Sequence, residues 1–293
     1  MSATQSSYRS AQKFKDLVIS LFLGLFALLW LLPIGWTIWT SLHPYKDVLA
    51  NGIFAWPTTF NFDNYRTALE KMHVARYFLN TVIIILPTLI VVLIGSAAAA
   101  FVMTKFRIRF HLPLLLFFTA GSMFPAQVIY YPIFKMYIII GDLFGDRTIL
   151  YNNYIGVILV HIAMQIGFAT FVLHSHLERL PKELSEQAQV DGASVWRHFW
   201  AIIIPLLRAP LATLAILITT FLYNDFVVGL SLLQSDSLFP ITTSLSRVGA
   251  FNRVIPDQGV LAAGAFLVAT PLVILFFALR KHFASGVMLG TPK

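Results

Sequence analysis

Six long apolar runs dominate the pattern of hydrophobic and polar positions along the chain. Each run reaches the about 20 residues that a helix needs to cross a ~30 Å hydrocarbon layer, and charged or turn-forming residues bound each one. The runs are apolar on every side, which is typical of helices that contact lipid and other helices. We predict membrane-spanning helices at Leu17–Trp39, Phe78–Met103, Leu112–Phe134, Tyr151–Leu173, Ala201–Tyr223 and Gly259–Leu279.

The predicted fold class is all-α, a polytopic membrane protein with six transmembrane helices. We expect one transmembrane domain over residues 17–280, between an N-terminal tail at 1–16 and a C-terminal tail at 281–293. The longest polar connection on the side of the tails covers residues 174–200, between the fourth and fifth spans. An even number of spans places both tails on the same side of the membrane.

The distribution of charge predicts which side that is. Charged residues make up only 12% of the 293 residues, about half the share in a typical soluble domain. Of the 21 Lys and Arg residues, 13 fall on the side of the tails. Because Lys and Arg concentrate in cytoplasmic loops, we predict an N-in, C-in, multi-pass protein of the cell inner (plasma) membrane. The same rule explains the basic surplus, so no nucleic-acid partner is implied.

The spans contain few residues that could carry chemistry. The second, fourth and sixth predicted spans have no Asp, Glu, Lys or Arg, which ion-coupled transporters usually retain. His161 and Gln165 share a helix face, and helix–helix hydrogen bonding explains them better than a proton relay. No Gly is followed by Lys, so the chain has no phosphate-binding P-loop. We therefore predict no catalytic residues, no metal site and no cofactor in this chain.

The connection at 174–200 is patterned as two short helices. Pro181 suits the first turn of a helix, and acidic Glu183 and Glu186 follow it near the positive N-terminal end. The pair Asp191-Gly192 then breaks the helix, and Asp191 is predicted to cap the next one.

The second helix is predicted to hold Val195, Trp196, Phe199 and Trp200, before Pro205 opens the fifth span. The pattern describes a helix–turn–helix protrusion whose small residues suit a groove on a partner protein. An amphipathic connector without any partner is the alternative.

The sequence of this protrusion resembles a known family. EQAQVDGA at residues 186–193, followed by IIIP at 202–205, is similar to the EAA signature (E-A-A-x-x-D-G-A…I-x-L-P) of permease subunits in binding-protein-dependent ABC importers. Gln187 stands in place of the first signature alanine, and Ile204 in place of leucine. The resemblance implies coupling helices that dock in a cleft of a separate ATPase. The residues that it assigns to coupling are Glu186, Gln187, Ala188, Asp191, Gly192, Ala193 and Pro205.

Further matches resemble the six-helix subunit of maltose-type transporters. They are FDNYRTAL at 62–69, RYFLNT at 76–81, FLYNDFVVGL at 221–230 and the final LRKHFASGVMLGTPK. The resemblance implies import of sugars or oligosaccharides. It also implies a homologous second permease, two copies of a cytoplasmic P-loop ATPase that bind ATP and magnesium, a periplasmic or extracellular solute-binding protein, and surrounding lipid.

Polar residues near the outer ends of the spans are candidates for the substrate path. Amide and carboxylate groups bond sugar hydroxyls, and aromatic rings cover the apolar faces of a sugar. The candidates are Asn80, Gln127, Tyr223, Asn224 and Asp225. Helix–helix hydrogen bonds and helix capping are the competing explanation for each of them.

Two other functions stay open at this point. The first is an ABC permease for a polyol, glycerol phosphate, amino acid or anion, which shares the docking loop and differs in its cavity. The second is an ion-coupled secondary transporter, which the charge-free spans disfavour.

Overall fold

The computed structural model describes residues 2–106, 110–122, 125–181, 183–248 and 257–287. These residues form helices joined by turns and loops, so the all-α prediction is confirmed. The α-helices are α1 (Ser2–Ser41), α2 (Tyr45–Asn51), α3 (Asp63–Met72), α4 (Val74–Lys105), α5 (His111–Ser122), α6 (Ala126–Phe144), α7 (Tyr154–Leu177), α8 (Glu183–Val190), α9 (Val195–His198), α10 (Ile204–Leu206), α11 (Arg208–Asn224), α12 (Val227–Leu232), α13 (Ile241–Val248) and α14 (Gln258–Val287).

Several of these helices are long and apolar enough to cross a membrane. Among the described residues, four single helices qualify: Gln12–Ser41 within α1, the whole of α4 and of α7, and Gln258–Ala278 within α14. The pair Val195–Leu206 and Arg208–Asn224 qualifies together but is bent by 73°. The multi-pass prediction therefore agrees with four or five apolar spans.

The predicted third span, Leu112–Phe134, is divided between two helices. Helix α5 ends at Ser122, and α6 begins after Pro125, whose ψ of 121° is not helical. With 12 residues, α5 is about 18 Å long, which is too short to cross the hydrocarbon layer alone. The prediction of one continuous helix here is wrong, because proline has no N–H to give to a preceding turn.

The helices extend into both predicted tails. Helix α1 begins at Ser2, so most of the predicted tail 1–16 is continuous with the first span. Helix α14 continues to Val287, and the remainder of the predicted tail 281–293 lies outside the described residues.

The chain divides into two compact units, residues 1–71 with 248–267 and residues 72–247 with 268–293. In the first unit, the side chains of residues 12–36 are exposed. Near the end of α1, Trp39 packs edge-on against Trp56 at a ring distance of 4.5 Å. Asn64 donates hydrogen bonds of 2.9 Å to the carbonyls of Ser41 and His43. These contacts fix the segment that follows α1.

The second unit is built around α4, α7 and α11, which pack on one another. Small residues such as Ala97, Ala100 and Ala169 are fully buried, and they let helix backbones approach closely. The buried core of this unit also contains Phe199, Ile203 and Leu207, from the segment between α9 and α11. The 174–200 connection is therefore rooted in the helical core.

Candidate functional site

The connection after α7 folds as the helix–turn–helix protrusion that its sequence predicts, and residues 183–206 are called the hairpin below. Helix α8 ends at Val190, and Gly192 turns the chain with a φ of +70°, in the left-handed region that favours glycine. The N–H of Ala193 then donates to the carbonyl of Ala188 at 3.0 Å. This bond satisfies a carbonyl of the last turn of α8.

The cap of the second helix differs from the prediction. Ser194, with extended backbone, accepts a hydrogen bond from the N–H of Arg197 at 3.2 Å, so Ser194 is the N-cap of α9. The prediction that Asp191 caps this helix is wrong. Gly192 and Ala193 lie between Asp191 and the helix start, whereas Ser194 directly precedes it.

The second limb of the hairpin is irregular. Residues Phe199–Ile203 form a π-helix, a form often found at functional sites, and Pro205 lies in the first turn of α10. Leu207 has non-helical dihedrals, and the chain bends there by 73° into α11. Pro205 therefore precedes the bend, and the prediction that it opens the fifth span is displaced: the long helix starts at Arg208.

Exposure separates three groups among the residues assigned to coupling, and Ala193 and Pro205 are half-buried. Glu186, Gln187, Asp191 and Gly192 are exposed. Ala188 is 5% exposed, so its side chain packs inside the protein. The structure thus presents four of the predicted residues on the outer surface of the hairpin.

The same surface also carries two exposed apolar side chains. The sequence did not predict them as contact residues. Val190 is 87% exposed and Trp196 is 72% exposed, on either side of the turn at Gly192. Both side chains are therefore open to contact with another molecule. The sequence signal for their exposure was their position near the turn at Gly192, because a side chain at the tip of a protrusion has no core to enter.

The base of the hairpin joins the core through aromatic rings. Phe199 packs against Phe101 of α4 at a ring distance of 5.6 Å and against Trp200 at 5.0 Å. Trp196 packs on Trp200 at 5.6 Å. The rings therefore form a continuous series of contacts from the exposed Trp196 to Phe101 of α4.

A cavity of about 650 Å³ lies among the base of the hairpin, the end of α4 and the end of α7. Its polar lining consists of Thr104, Lys105, His174, Glu178, Ser185, Glu186 and His198. No cluster of three or more His, Asp or Glu residues that could hold a metal ion occurs in the described part of the chain.

The candidates for the substrate path lie in several different settings. The buried amide of Asn80 donates to the carbonyls of Ser237 and Phe239 at 2.8 and 2.9 Å. The hydroxyl of Tyr223 donates to the carbonyl of Val268 at 2.6 Å. Both side chains therefore secure neighbouring segments of the protein.

The other candidates are more open. The side chain of Gln127 is exposed near the start of α6, and that of Asn224 is exposed and donates to the carbonyl of Thr220 in its own helix at 2.9 Å. Asp225 accepts from the N–H of Val228 at 3.1 Å, which is the capping contact weighed against a substrate role. 

Asp225 also approaches His161 of α7. The distance between Asp225 Oδ2 and His161 Nε2 is 3.8 Å, and His161 is buried. This contact joins α7 to the residue after α11, whereas the helix–helix hydrogen bonding predicted for His161 and Gln165 stays a prediction.

A family model described as "Binding-protein-dependent transport system inner membrane component" matches residues 91–288. Curated relatives match nearly the whole chain. The permease protein of a diacetylchitobiose uptake system from Streptomyces coelicolor is 27% identical, covering 91% of this chain and 85% of its own. An osmoprotective compounds uptake permease protein from Synechocystis is 28% identical, covering 99% and 96%. A melibiose/raffinose/stachyose import permease protein from Bacillus subtilis is 25% identical, covering 97% and 99%.

A solved structure has the same fold. It belongs to a bacterial ABC transporter involved in the import of the acidic polysaccharide alginate. The TM-score is 0.77 at 21% sequence identity, over 93% of this chain and 98% of that one.

Proposed function

The chain belongs to the family of binding-protein-dependent transport system inner membrane components, and on that premise we propose that it is a permease subunit of an ATP-driven importer of sugars or oligosaccharides. The matched region, residues 91–288, covers more than half of the chain and contains the hairpin. The family resemblance inferred from residues 186–205 is thereby confirmed. The observation that carries the proposal is the exposed hairpin rooted in the core.

The subunit itself is non-catalytic in this proposal. The importer contains a homologous second permease, two copies of a separate P-loop ATPase that bind ATP and magnesium, and a solute-binding protein outside the inner membrane. ATP binding closes the ATPase pair and displaces the hairpin that is docked on it. Phe199, Ile203 and Leu207 pass this displacement to α4, α7 and α11, and the two permeases rock between inward-facing and outward-facing states.

Six crossings with both termini in the cytoplasm complete this architecture. Four crossings are the single apolar helices, and a fifth is α11 with the hairpin on its cytoplasmic side. The remaining crossing is formed by α5 and α6 together. The hairpin then faces the cytoplasm, where the ATPase lies.

The sugar assignment is supported by the resemblance of residues 221–230 to maltose-type subunits and by the names of two relatives, which import diacetylchitobiose and melibiose, raffinose and stachyose. The relative that takes up osmoprotective compounds favours a second candidate, an importer of a non-sugar solute such as a polyol. The saccharide or polyol that the cognate binding protein retains on a column distinguishes the two.

The docking role is tested at Gly192. Its φ is +70°, and a Cβ placed there meets no other atom of this chain within 4 Å. Gly192→Glu is expected to strain the turn without a clash inside this chain, and its bulk and charge should oppose the ATPase surface and reduce ATP-dependent uptake at least about tenfold, which corresponds to ~1.4 kcal/mol. Copurification of the ATPase with the tagged permease measures docking directly.

Gly145→Glu is the matched control. Gly145 also ends a helix, with a φ of +77° and open space around its Cβ, but it follows α6 away from the hairpin. Gly192→Asn is the second control, because Asn tolerates the left-handed backbone. Normal uptake by correctly inserted Gly192→Glu protein would reject the docking role.

A further inference from the structure

His198 lies at the base of the hairpin and is 1% exposed, although its ring carries two polar nitrogens. Its Nδ1 is 3.1 Å from Nζ of Lys105, the last residue of α4. Its Nε2 is 3.4 Å from Oγ of Ser185, in α8. One buried side chain therefore connects the first helix of the hairpin, the second helix of the hairpin and the end of α4.

The donors and acceptors fix the protonation of this ring. A lysine ammonium group has three N–H donors and no acceptor. Nδ1 of His198 must therefore accept from Lys105, which requires a neutral imidazole with its proton on Nε2. That Nε2–H then donates to Ser185, so only the neutral ring makes both bonds.

The surroundings hold the ring in place. His198 packs edge-on against Phe101 of α4 at a ring distance of 5.1 Å, and Lys105 Nζ lies 5.5 Å from the centre of the Phe101 ring. The other titratable groups that line the cavity are His174 on α7, Glu178 just after α7 and Glu186 on α8.

We propose that His198 is a positioning residue for coupling, which fixes α8 to the end of α4. A displacement of the hairpin then reaches α4 by two routes: through the ring contact between Phe199 and Phe101, and through Ser185, His198 and Lys105. Because α4 packs along α7, the second route also moves α7. This inference rests on the proposed function, since it describes how the force applied to the hairpin is divided.

The first test uses the complete transporter in proteoliposomes and measures the ATP hydrolysed per solute imported. His198→Phe keeps an aromatic ring against Phe101 and removes both hydrogen bonds. We expect the ratio to rise at least about fivefold, because hydrogen bonds to charged groups each change an equilibrium by roughly tenfold. A ring that only fills space would leave the ratio unchanged.

The second test is the pH profile of the same ratio. In acid, protonated His198 turns Nδ1 into a donor that faces the Lys105 ammonium, so the wild-type ratio should rise as the pH falls. His198→Asn places an amide oxygen near the position of Nδ1 and does not titrate. We expect this variant to show no rise of the ratio at low pH. A histidine that only fills space would not produce this difference between the wild type and the variant.

The third test combines Lys105→Met with His198→Phe. If the two residues form one link, the ratio of ATP hydrolysed to solute imported is no higher in the double variant than in either single variant. A ratio that rises by the product of the two single effects would overturn the link. Lys105→Met also probes the link if His198→Phe assembles poorly.

Wild-type ratios and pH profiles in all His198 variants would overturn this inference and leave the proposed function standing. Import by the wild-type complex without ATP would instead remove the proposed function.

Discussion

At the scale of single residues, Asn80 shows that a polar side chain near the end of a span can serve its own protein. Its amide donates to two backbone carbonyls, and the neighbouring Thr81 hydroxyl accepts from the N–H of Ile241 at 2.9 Å. These bonds join the start of α4 to residues 237–241, which lie just before α13 and at its start. The residue type suggested a sugar ligand, but the partners lie about 160 residues away in sequence, where no local pattern reveals them.

Asn80→Ala is expected to lower the thermal stability of the purified subunit. Each buried carbonyl that loses its donor costs roughly 1–3 kcal/mol. The solute concentration for half-maximal uptake by the folded fraction should be unchanged. Thermal unfolding in detergent and uptake in proteoliposomes measure the two effects, and Asn224→Ala, whose amide bonds within its own helix, is the control for the unfolding temperature. An unchanged unfolding temperature with weaker apparent affinity would instead place Asn80 in the substrate path.

Gly156→Ala is expected to destabilise the protein, although alanine normally favours a helix. A Cβ at Gly156 would overlap the Leu150 carbonyl and lie 2.8 Å from Cε2 of Tyr137. The overpacking should cost roughly 1–3 kcal/mol and lower the unfolding temperature. Gly24→Ala, at a helical site with nothing within 4 Å, should not lower it. Equal unfolding temperatures for both variants would contradict close packing around Gly156.

At the scale of elements, local signals were sufficient for α8 and its turn but insufficient for the second limb of the hairpin and for the spans around it. Helix α8 and its turn follow from Glu183 and Gly192, because helix starts and left-handed turns depend on neighbouring residues. The bend at Leu207 does not, since Pro205 is compatible with the first turn of a straight helix. The division of the third span was signalled by Pro125, but uniform apolarity concealed it. Exposure of Val190 and burial of His198 depend on tertiary packing.

Ser194→Ala is expected to loosen the second limb of the hairpin. The Ser194 hydroxyl oxygen accepts from Arg197 N–H, and removing such a cap costs about 1 kcal/mol. Hydrogen–deuterium exchange over residues 195–203 should become several times faster, while exchange in α4 stays unchanged. Ser194→Asp, which retains an accepting oxygen, should exchange like wild type. Faster exchange in both variants would assign the effect to something other than the cap.

At the scale of the whole molecule, the sequence correctly indicates a multi-pass membrane protein and its family, whereas the six crossings stay a prediction. Apolar runs and the signature segment are properties of composition and order, which sequence shows directly. Whether α5 and α6 cross together depends on how two helices meet, which hydropathy does not describe. The chain contains no cysteine, so single introduced thiols give an unambiguous answer.

Phe110→Cys and Phe144→Cys are expected to react from opposite sides of the membrane. Both positions are exposed, at 67% and 70%; Phe110 directly precedes α5, and Phe144 is the last residue of α6. A membrane-impermeant maleimide added to intact cells should label position 144 and should label position 110 only after permeabilisation. Gln187→Cys, on the hairpin, should behave like position 110. Labelling of positions 110 and 144 from the same side would make the pair a re-entrant segment and reduce the crossings.

The 73° bend at Leu207 makes the hairpin and α11 two arms of a lever. With 17 residues, α11 extends about 26 Å from this fulcrum. A tilt of ~10° that preserves the bend angle moves the far end of α11 by roughly 4–5 Å, nearly one helical turn. In the proposed importer, a small rotation of the hairpin would therefore displace Asn224 and Asp225 by several ångströms.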